Sequence, residues 1–233
     1  MDSVSNIIMN VEKVREAIRS AALRAGRDPR AVTLIAVSKT RSVEEIQAAL
    51  AAGITHLGEN RVQELAEKVG PLADRNATWH LIGSLQTNKV KQALELADLI
   101  HSLDRESLFA ELVRQAERRA VVCDTLVQVN VSGEASKHGI GPDNLLPFLR
   151  RIGQQQWVRV RGLMTMAPLS ADPEEARPHF RRLRELAEQV RAEALPNVSM
   201  EHLSMGMSGD YAVAVEEGAT LVRVGTAIFG ERA

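Results

Sequence analysis

The sequence predicts an α/β protein in which eight parallel strands, each followed by a helix, close into a (β/α)8 TIM barrel. Three observations carry that prediction. Short β-branched apolar runs recur eight times, and stretches with helical spacing separate them. These runs are near-continuous rather than alternating, as expected of a parallel sheet covered on both faces. The length, 233 residues, lies near the lower limit for such a barrel, and no Pro/Gly/Ser-rich linker or low-complexity segment divides it. Residues 1–233 are therefore read as one domain, with a doubly wound open sheet as the rival arrangement of the same elements.

The chain opens with an amphipathic helix over 1–26. Ile7, Ile8, Val11, Val14, Ile18, Ala22 and Leu23 fall at helical spacing, and Gly26 suits the stop. Acidic Asp2 and Glu12 and the lack of a continuous apolar block exclude an export signal, so this helix is expected to pack on the barrel as an extra element. Strands are expected to begin near Thr33, Ile54, Thr78, Asp98, Asp124, Val158, Val198 and Ala219. Helices are expected over 42–52, 88–97, 105–120, 173–194 and 210–217, with Gly53 and Gly218 as stops and Pro173 at the start of the longest. The stretch 133–141, GEASKHGIG, follows a strand directly and reads as a βα loop. The Arg- and Glu-dense segment 178–194 reads as a solvated helix face with i,i+4 pairs.

Composition excludes several classes. Apolar residues make up 45% and charged residues 25%, which is globular rather than disordered. The 29 Lys and Arg against 30 Asp and Glu leave a net charge of −1, without the basic excess that phosphate neutralisation on nucleic acid requires. Cys123 is the only cysteine, so neither an intrachain disulfide nor a cysteine-based zinc cluster can form, and the reducing cytoplasm is the natural compartment. No run approaches the roughly 18 apolar residues of a membrane span. The six histidines show no HxxxH or HxH spacing for a metal, and GxSxG, Walker and GxGxxG motifs are absent.

In a barrel of this kind chemistry gathers at the C-terminal ends of the strands, and the unusual polar residues fall there. Strand one ends in Ser38-Lys39-Thr40, strand two in Gly58-Glu59-Asn60-Arg61, strand three in Gly83-Ser84, and strand four carries His101-Ser102. Asn130 and Ser132 follow strand five, Thr165 ends strand six, Ser204 to Ser208 end strand seven, and Arg223, Gly225 and Thr226 end strand eight. Lys39 follows the apolar run 34–37, separated from it by Ser38 alone. Partial desolvation there disfavours the ammonium and frees the amine to attack an aldehyde. The plain alternative is a lysine whose stem packs while its head reaches water. The last two junctions shift the balance. LSMGMSGD (203–210) supplies two hydroxyls, two glycines and a helix start, and LVRVGTAIFG (221–230) supplies Gly225 and Thr226 at another. Such N–H-rich turns bind phosphate, although glycines in either one alone could simply make a tight turn. At least half of Met164, Met166, Met205 and Met207 read as core filler. His80 and His202 lie within strands and read as satisfied core groups or supports behind a site.

AVSKT (36–40), GENRVQE (58–64), HLIGSLQTNK (80–89), GLMTMAP (162–168), LSMGMSGD and VRVGTAIFGER (222–232) together resemble the YggS/PROSC-type pyridoxal phosphate homeostasis proteins. The matches run in order over almost the whole chain. The resemblance implies a fold-type-III, alanine-racemase-like barrel that holds pyridoxal 5′-phosphate. It implies that Lys39 forms the internal aldimine, a Schiff base, and that Asn60 lines the cofactor. Ser204, Ser208, Gly225 and Thr226 match its phosphate-binding positions, with the choice between the two serines open. Arg223 matches the arginine facing the pyridine nitrogen. An arginine has no acceptor for a pyridinium proton, so the ring nitrogen stays unprotonated and the ring is a weaker electron sink.

Two functions follow from different classes: a carrier that stores, buffers or delivers the cofactor, and an amino-acid racemase of the alanine racemase type. Two-base racemisation needs an acid/base on the face opposite the lysine. The only tyrosine, Tyr211, is placed behind the phosphate loop, and the eighth strand ends shortly before Ala233, so the carrier is expected, without catalytic residues or a metal. The expected partners are the cofactor and, transiently, pyridoxal-phosphate-dependent apoenzymes, with no nucleic acid or membrane, and the expected state is a monomer. Lys89, Lys91 and Lys137 could anchor a second cofactor molecule, but surface lysines are too common to support that.

Overall fold

A computed structural model describes residues 3–134 and 138–231; Lys137 lies outside the described residues. Its strands are β1 (Thr33–Val37), β2 (His56–Glu59), β3 (Thr78–Leu81), β4 (Leu99–Leu103), β5 (Cys123–Gln128), β6 (Val158–Met164), β7 (Val198–Ser204) and β8 (Leu221–Val224). They pair in chain order, all parallel, and β8 closes on β1 with Ile35 opposite Arg223. That closure selects the barrel over the open sheet. The helices are α1 (Ser3–Arg24), α2 (Val43–Ala51), α3 (Val62–Val69), α4 (Val90–Leu96), α5 (Glu106–Arg119), α6 (Pro142–Ile152), α7 (Arg177–Ala192), α8 (Tyr211–Glu216) and α9 (Thr226–Phe229).

Alternation along the strands sorts side chains into two layers. Ile35, Leu99, Leu126, Met164 and Leu221 form a small cluster of their own in the lumen. Their neighbours Ala36, Ile100, Val127, Leu163 and Val222 belong to the larger core beneath the helices. Each fully buried aliphatic side chain contributes roughly 1.5–3 kcal/mol relative to exposure.

The extra helix packs against α2, α8 and α9, across the junction of the first and last strands. It buries Ile7, Val11, Val14, Ile18, Ala21 and Ala22, a seam with steps of four and three residues. Ile8 and Leu23, expected on that face, are 36% and 58% exposed. Each sits one residue from a seam position and is rotated about 100° from it. Polar side chains reinforce the docking. Arg15 donates to the carbonyls of Ala52 and Gly53 (2.7 Å each), and Asn10 donates to that of Ile228 (3.0 Å).

Three helical expectations need correction. The segment 173–194 starts as a 3-10 turn, Pro173–Ala176, before α7, and Thr87–Lys89 forms another before α4. The charged face of α7 is only partly solvated. Arg177, Arg181 and Arg184 reach Glu217, just past α8, at 3.2, 3.1 and 3.1 Å, and Glu217 is buried. A charge run in sequence cannot reveal that its partner lies on another helix. Helices α3 and α6 carried weak signals: neither has a side-chain N-cap bond, and Pro147 sits inside α6.

Candidate functional site

The end of β1 is pinned from below. The Ser38 hydroxyl donates to Glu59 Oε1 (2.6 Å), while Lys68 Nζ donates to the Ser38 carbonyl and to Glu59 Oε1 (2.7 Å each). Both charged groups are buried. Burial pushes the Glu59 carboxyl upward, opposed by the bonds from Lys68 and Ser38. Glu59 Oε2 has no partner among the described residues. On the far side of Lys39, Thr40 adopts left-handed φ of 62° and its N–H donates to Glu64 Oε2 (2.8 Å). A β-branched residue there costs on the order of 1–3 kcal/mol, so the carboxylate and the pinned strand hold the turn. Lys39 itself is half-buried between these two anchors.

A cavity of about 470 Å3 opens at this end of the barrel. Lys39, Asn60, Ser208, Arg223, Gly225 and Thr226 line it, so six of the seven expected cofactor residues converge there. Val37, Ile82, Gly83, Ser84, Met166, Leu169, Met207 and Gly209 complete the lining. The four methionines divide evenly, since Met164 and Met205 are fully buried while Met166 and Met207 face the cavity. Gly83 is required by proximity, because a Cβ there would lie 2.2 Å from the Asn60 carbonyl oxygen. Tyr211 does not line the cavity; it lies in a neighbouring depression at the start of α8.

The last two junctions meet through Ser208. Its Oγ accepts from the N–H groups of Gly225 (3.2 Å) and Ala227 (3.3 Å), and Asp210 Oδ1 accepts from Met207 N–H (2.6 Å). Gly206 turns with φ of 94°, and a Cβ there would lie 2.6 Å from that of Ala214. The N–H groups of Gly209 and Thr226 have no protein partner among the described residues. A hydroxyl and unpaired N–H groups on one wall suit a phosphate.

Ser204 stands elsewhere. It is fully buried and outside the cavity lining, and its Oγ accepts from Arg223 Nη1 (2.5 Å). Arg223 Nη2 donates to the Thr165 carbonyl (2.8 Å). Only 4% of Arg223 is exposed, and burial lowers its pKa to about 10, which leaves it charged at neutral pH. Among the described residues no carboxylate lies within ion-pair distance of it. Behind Ser204 runs a series of rings: Ser204 Oγ to His101 Nδ1 (3.0 Å), His101 Nε2 to His80 Nδ1 (2.9 Å), and His80 Nε2 to His56 Nδ1 (2.9 Å). Burial holds His80 down to about 3, His101 well below the ordinary range, and His56 below it to a lesser degree. No cluster of three His, Cys, Asp or Glu side chains among the described residues is placed to hold a metal ion. Sequence reasoning placed His80 as a core or supporting group but could not see the series, because its members come from three strands.

The alanine racemase N-terminal domain, as a family, matches residues 9–233. The barrel and its rim thus define a member of that class of domain. The chain is 45% identical over 227 residues to the pyridoxal phosphate homeostasis protein of Aquifex aeolicus, covering 97% of this chain and 99% of the relative. It is 42% identical over 229 residues to the protein of that name from Pseudomonas aeruginosa, covering 98% and 97%. It belongs to the pyridoxal phosphate homeostasis protein family. PipY of Synechococcus elongatus, solved with pyridoxal phosphate bound, matches with a TM-score of 0.79 at 41% identity, covering 92% of this chain and 99% of that one. Alanine racemase from Corynebacterium glutamicum shares the fold alone, with a TM-score of 0.74 at 14% identity over 98% of this chain and 62% of the other.

Proposed function

We propose that the rim cavity holds pyridoxal 5′-phosphate and that the protein stores and releases it in cofactor homeostasis. The convergence of a half-buried amine, Lys39, with unpaired N–H groups and a buried arginine on one cavity carries this reading. Pyridoxal phosphate would supply an aldehyde there, and Lys39 Nζ is the amine on the cavity wall that would hold it. Ser208, Gly225 and Thr226 would hold the phosphate, Asn60 would border the ring, and Arg223 would face the ring nitrogen as a donor. Ser204 acts one step back, as the acceptor that orients Arg223.

We propose carriage rather than turnover; a ring nitrogen facing a guanidinium would gain no proton from a carboxylate, a weak electron sink for either function, whereas two-base racemisation needs an acid/base opposite Lys39. The sole tyrosine lies off the cavity, which supports the same choice. We place the protein in the cytoplasm as a monomer that meets apoenzymes transiently. No helix among the described residues is long and apolar enough to cross a membrane. The lone thiol of Cys123 is buried and pushed up to about 12, so it is inert.

Borohydride reduction followed by peptide mass spectrometry tests the site. Label on Lys39, absent from Lys39→Ala, is expected; label elsewhere or nowhere overturns it. Turnover of L-amino acids well above that of free cofactor would favour a racemase instead.

A further inference from the structure

The ring series in the lumen is left unused by the cofactor site, and its chemistry fixes its direction. A guanidinium only donates, so Ser204 Oγ accepts from Arg223. The single hydroxyl hydrogen of Ser204 then has one acceptor in reach among the described residues, His101 Nδ1. His101 must carry its proton on Nε2, which donates to His80 Nδ1, and His80 in turn donates from Nε2 to His56 Nδ1. The reverse direction would bring two N–H donors to Ser204 Oγ and leave its own buried hydrogen without an acceptor, a costly state. All three rings are therefore neutral Nε2–H tautomers. The series ends at half-buried His56, which lines a second cavity of about 370 Å3 at the opposite end of the barrel with Arg15, Arg19 and Thr55.

The neighbouring histidines and Arg223 favour neutral rings, whereas Asp98 alone favours charge on His56. Asp98 and His202 face His56, His56 and His202 face His80, and His80, His202 and Arg223 face His101. Asp98 is engaged with the Trp79 N–H at 2.7 Å. The cation at one end disfavours a second charge beside it.

We propose that His101, backed by His80 and His56, is a positioning residue for Arg223. A lone serine hydroxyl could rotate its hydrogen toward the guanidinium. With His101 Nδ1 taking that hydrogen, a lone pair of Ser204 stays turned to Arg223 Nη1. Two neutral acceptors, Ser204 Oγ and the Thr165 carbonyl, then hold a buried cation whose nearest carboxylate influence, Asp210, acts from beyond ion-pair distance, and the arginine stays aimed into the cavity. The consequence for the cofactor rests on the pyridoxal phosphate reading; the geometry of the series does not.

The test has an arm for each. In 15N-labelled apoprotein, long-range proton–nitrogen correlation at pH 7 should show His56, His80 and His101 as Nε2–H tautomers. Separate Arg223 Nη signals are expected in the native protein and averaged ones in His101→Leu. In protein loaded with pyridoxal phosphate, His101→Leu should release the cofactor about tenfold faster, roughly 1.4 kcal/mol, with a shifted visible band. His101→Gln, whose amide oxygen can accept the same hydrogen, should restore both. If His101→Leu does not fold, Ser204→Ala carries the same readings without adding bulk. A proton on His101 Nδ1, or unchanged Arg223 signals, band and release in a folded variant, overturns the proposal. Absence of Lys39 label in the native protein overturns the cofactor reading instead and leaves the apoprotein arm standing.

Discussion

Acid should destabilise this barrel through its lumen. His80 is held near 3 by burial, while an unfolded histidine titrates near 6.5. Its folded pKa is depressed, so between about 6.5 and 3 the unfolded chain binds a proton that the folded one refuses, and stability falls with pH. At pH 5 the unfolded side gains RT ln(1 + 10^1.5), about 2 kcal/mol, against almost nothing at pH 7.5. His101 shifts in the same direction for the same reason and adds a contribution of the same sign. For a chain of this size 1 kcal/mol moves Tm by roughly 2–4 °C, so His80 alone accounts for about 4–8 °C. Thermal unfolding of apoprotein at pH 7.5 and 5.0, native against His80→Gln, isolates this effect, because the carboxylates, including the upward-shifted Glu59, cancel in the comparison. An acid shift of equal size in both proteins would refute a neutral, buried His80.

Lys68→Met leaves the Glu59 carboxylate buried without its cation and should cost about 3–5 kcal/mol in urea unfolding; adding Glu59→Gln should recover most of it. Ser208→Ala removes the hydroxyl that joins the last two βα junctions. Equilibrium dialysis should show cofactor retention weakened about 10- to 100-fold, the worth of a hydrogen bond to a charged group, with Tm lowered by roughly 2–4 °C as the Gly225 and Ala227 N–H groups lose their acceptor. Gly83→Ala would place a methyl against the Asn60 carbonyl and should cost about 1–3 kcal/mol by denaturant titration, with Asn60 displaced from the cavity wall.

Local signals made the barrel legible. Every strand starts within two residues of its expected position, because parallel strands buried on both faces leave an apolar run that needs no tertiary context. The site was legible at the strand ends for a similar reason, since topology assigns all eight to one rim. What stayed hidden depends on partners distant in the chain. Glu59 and Lys68 look like ordinary polar residues of a strand end and a helix, yet they meet under Ser38. Ser204 and Ser208 sit four residues apart in one motif, and only the direction of the chain past Gly206 sends one hydroxyl into the lumen and the other to the cavity. Burial on the far side of Arg223 has no sequence signature at all.

Helix α1 lies over the junction where the barrel closes, bonded to the ends of α2 and α9. The junction joins the earliest strand to the latest, and Lys39 stands on one side of it with Gly225 and Thr226 on the other. On the ribosome, then, the amine emerges long before the turn proposed to hold the phosphate. Until β8 arrives a nascent chain lacks Arg223, Gly225 and Thr226, so the cavity wall is completed only by the strand that closes the barrel.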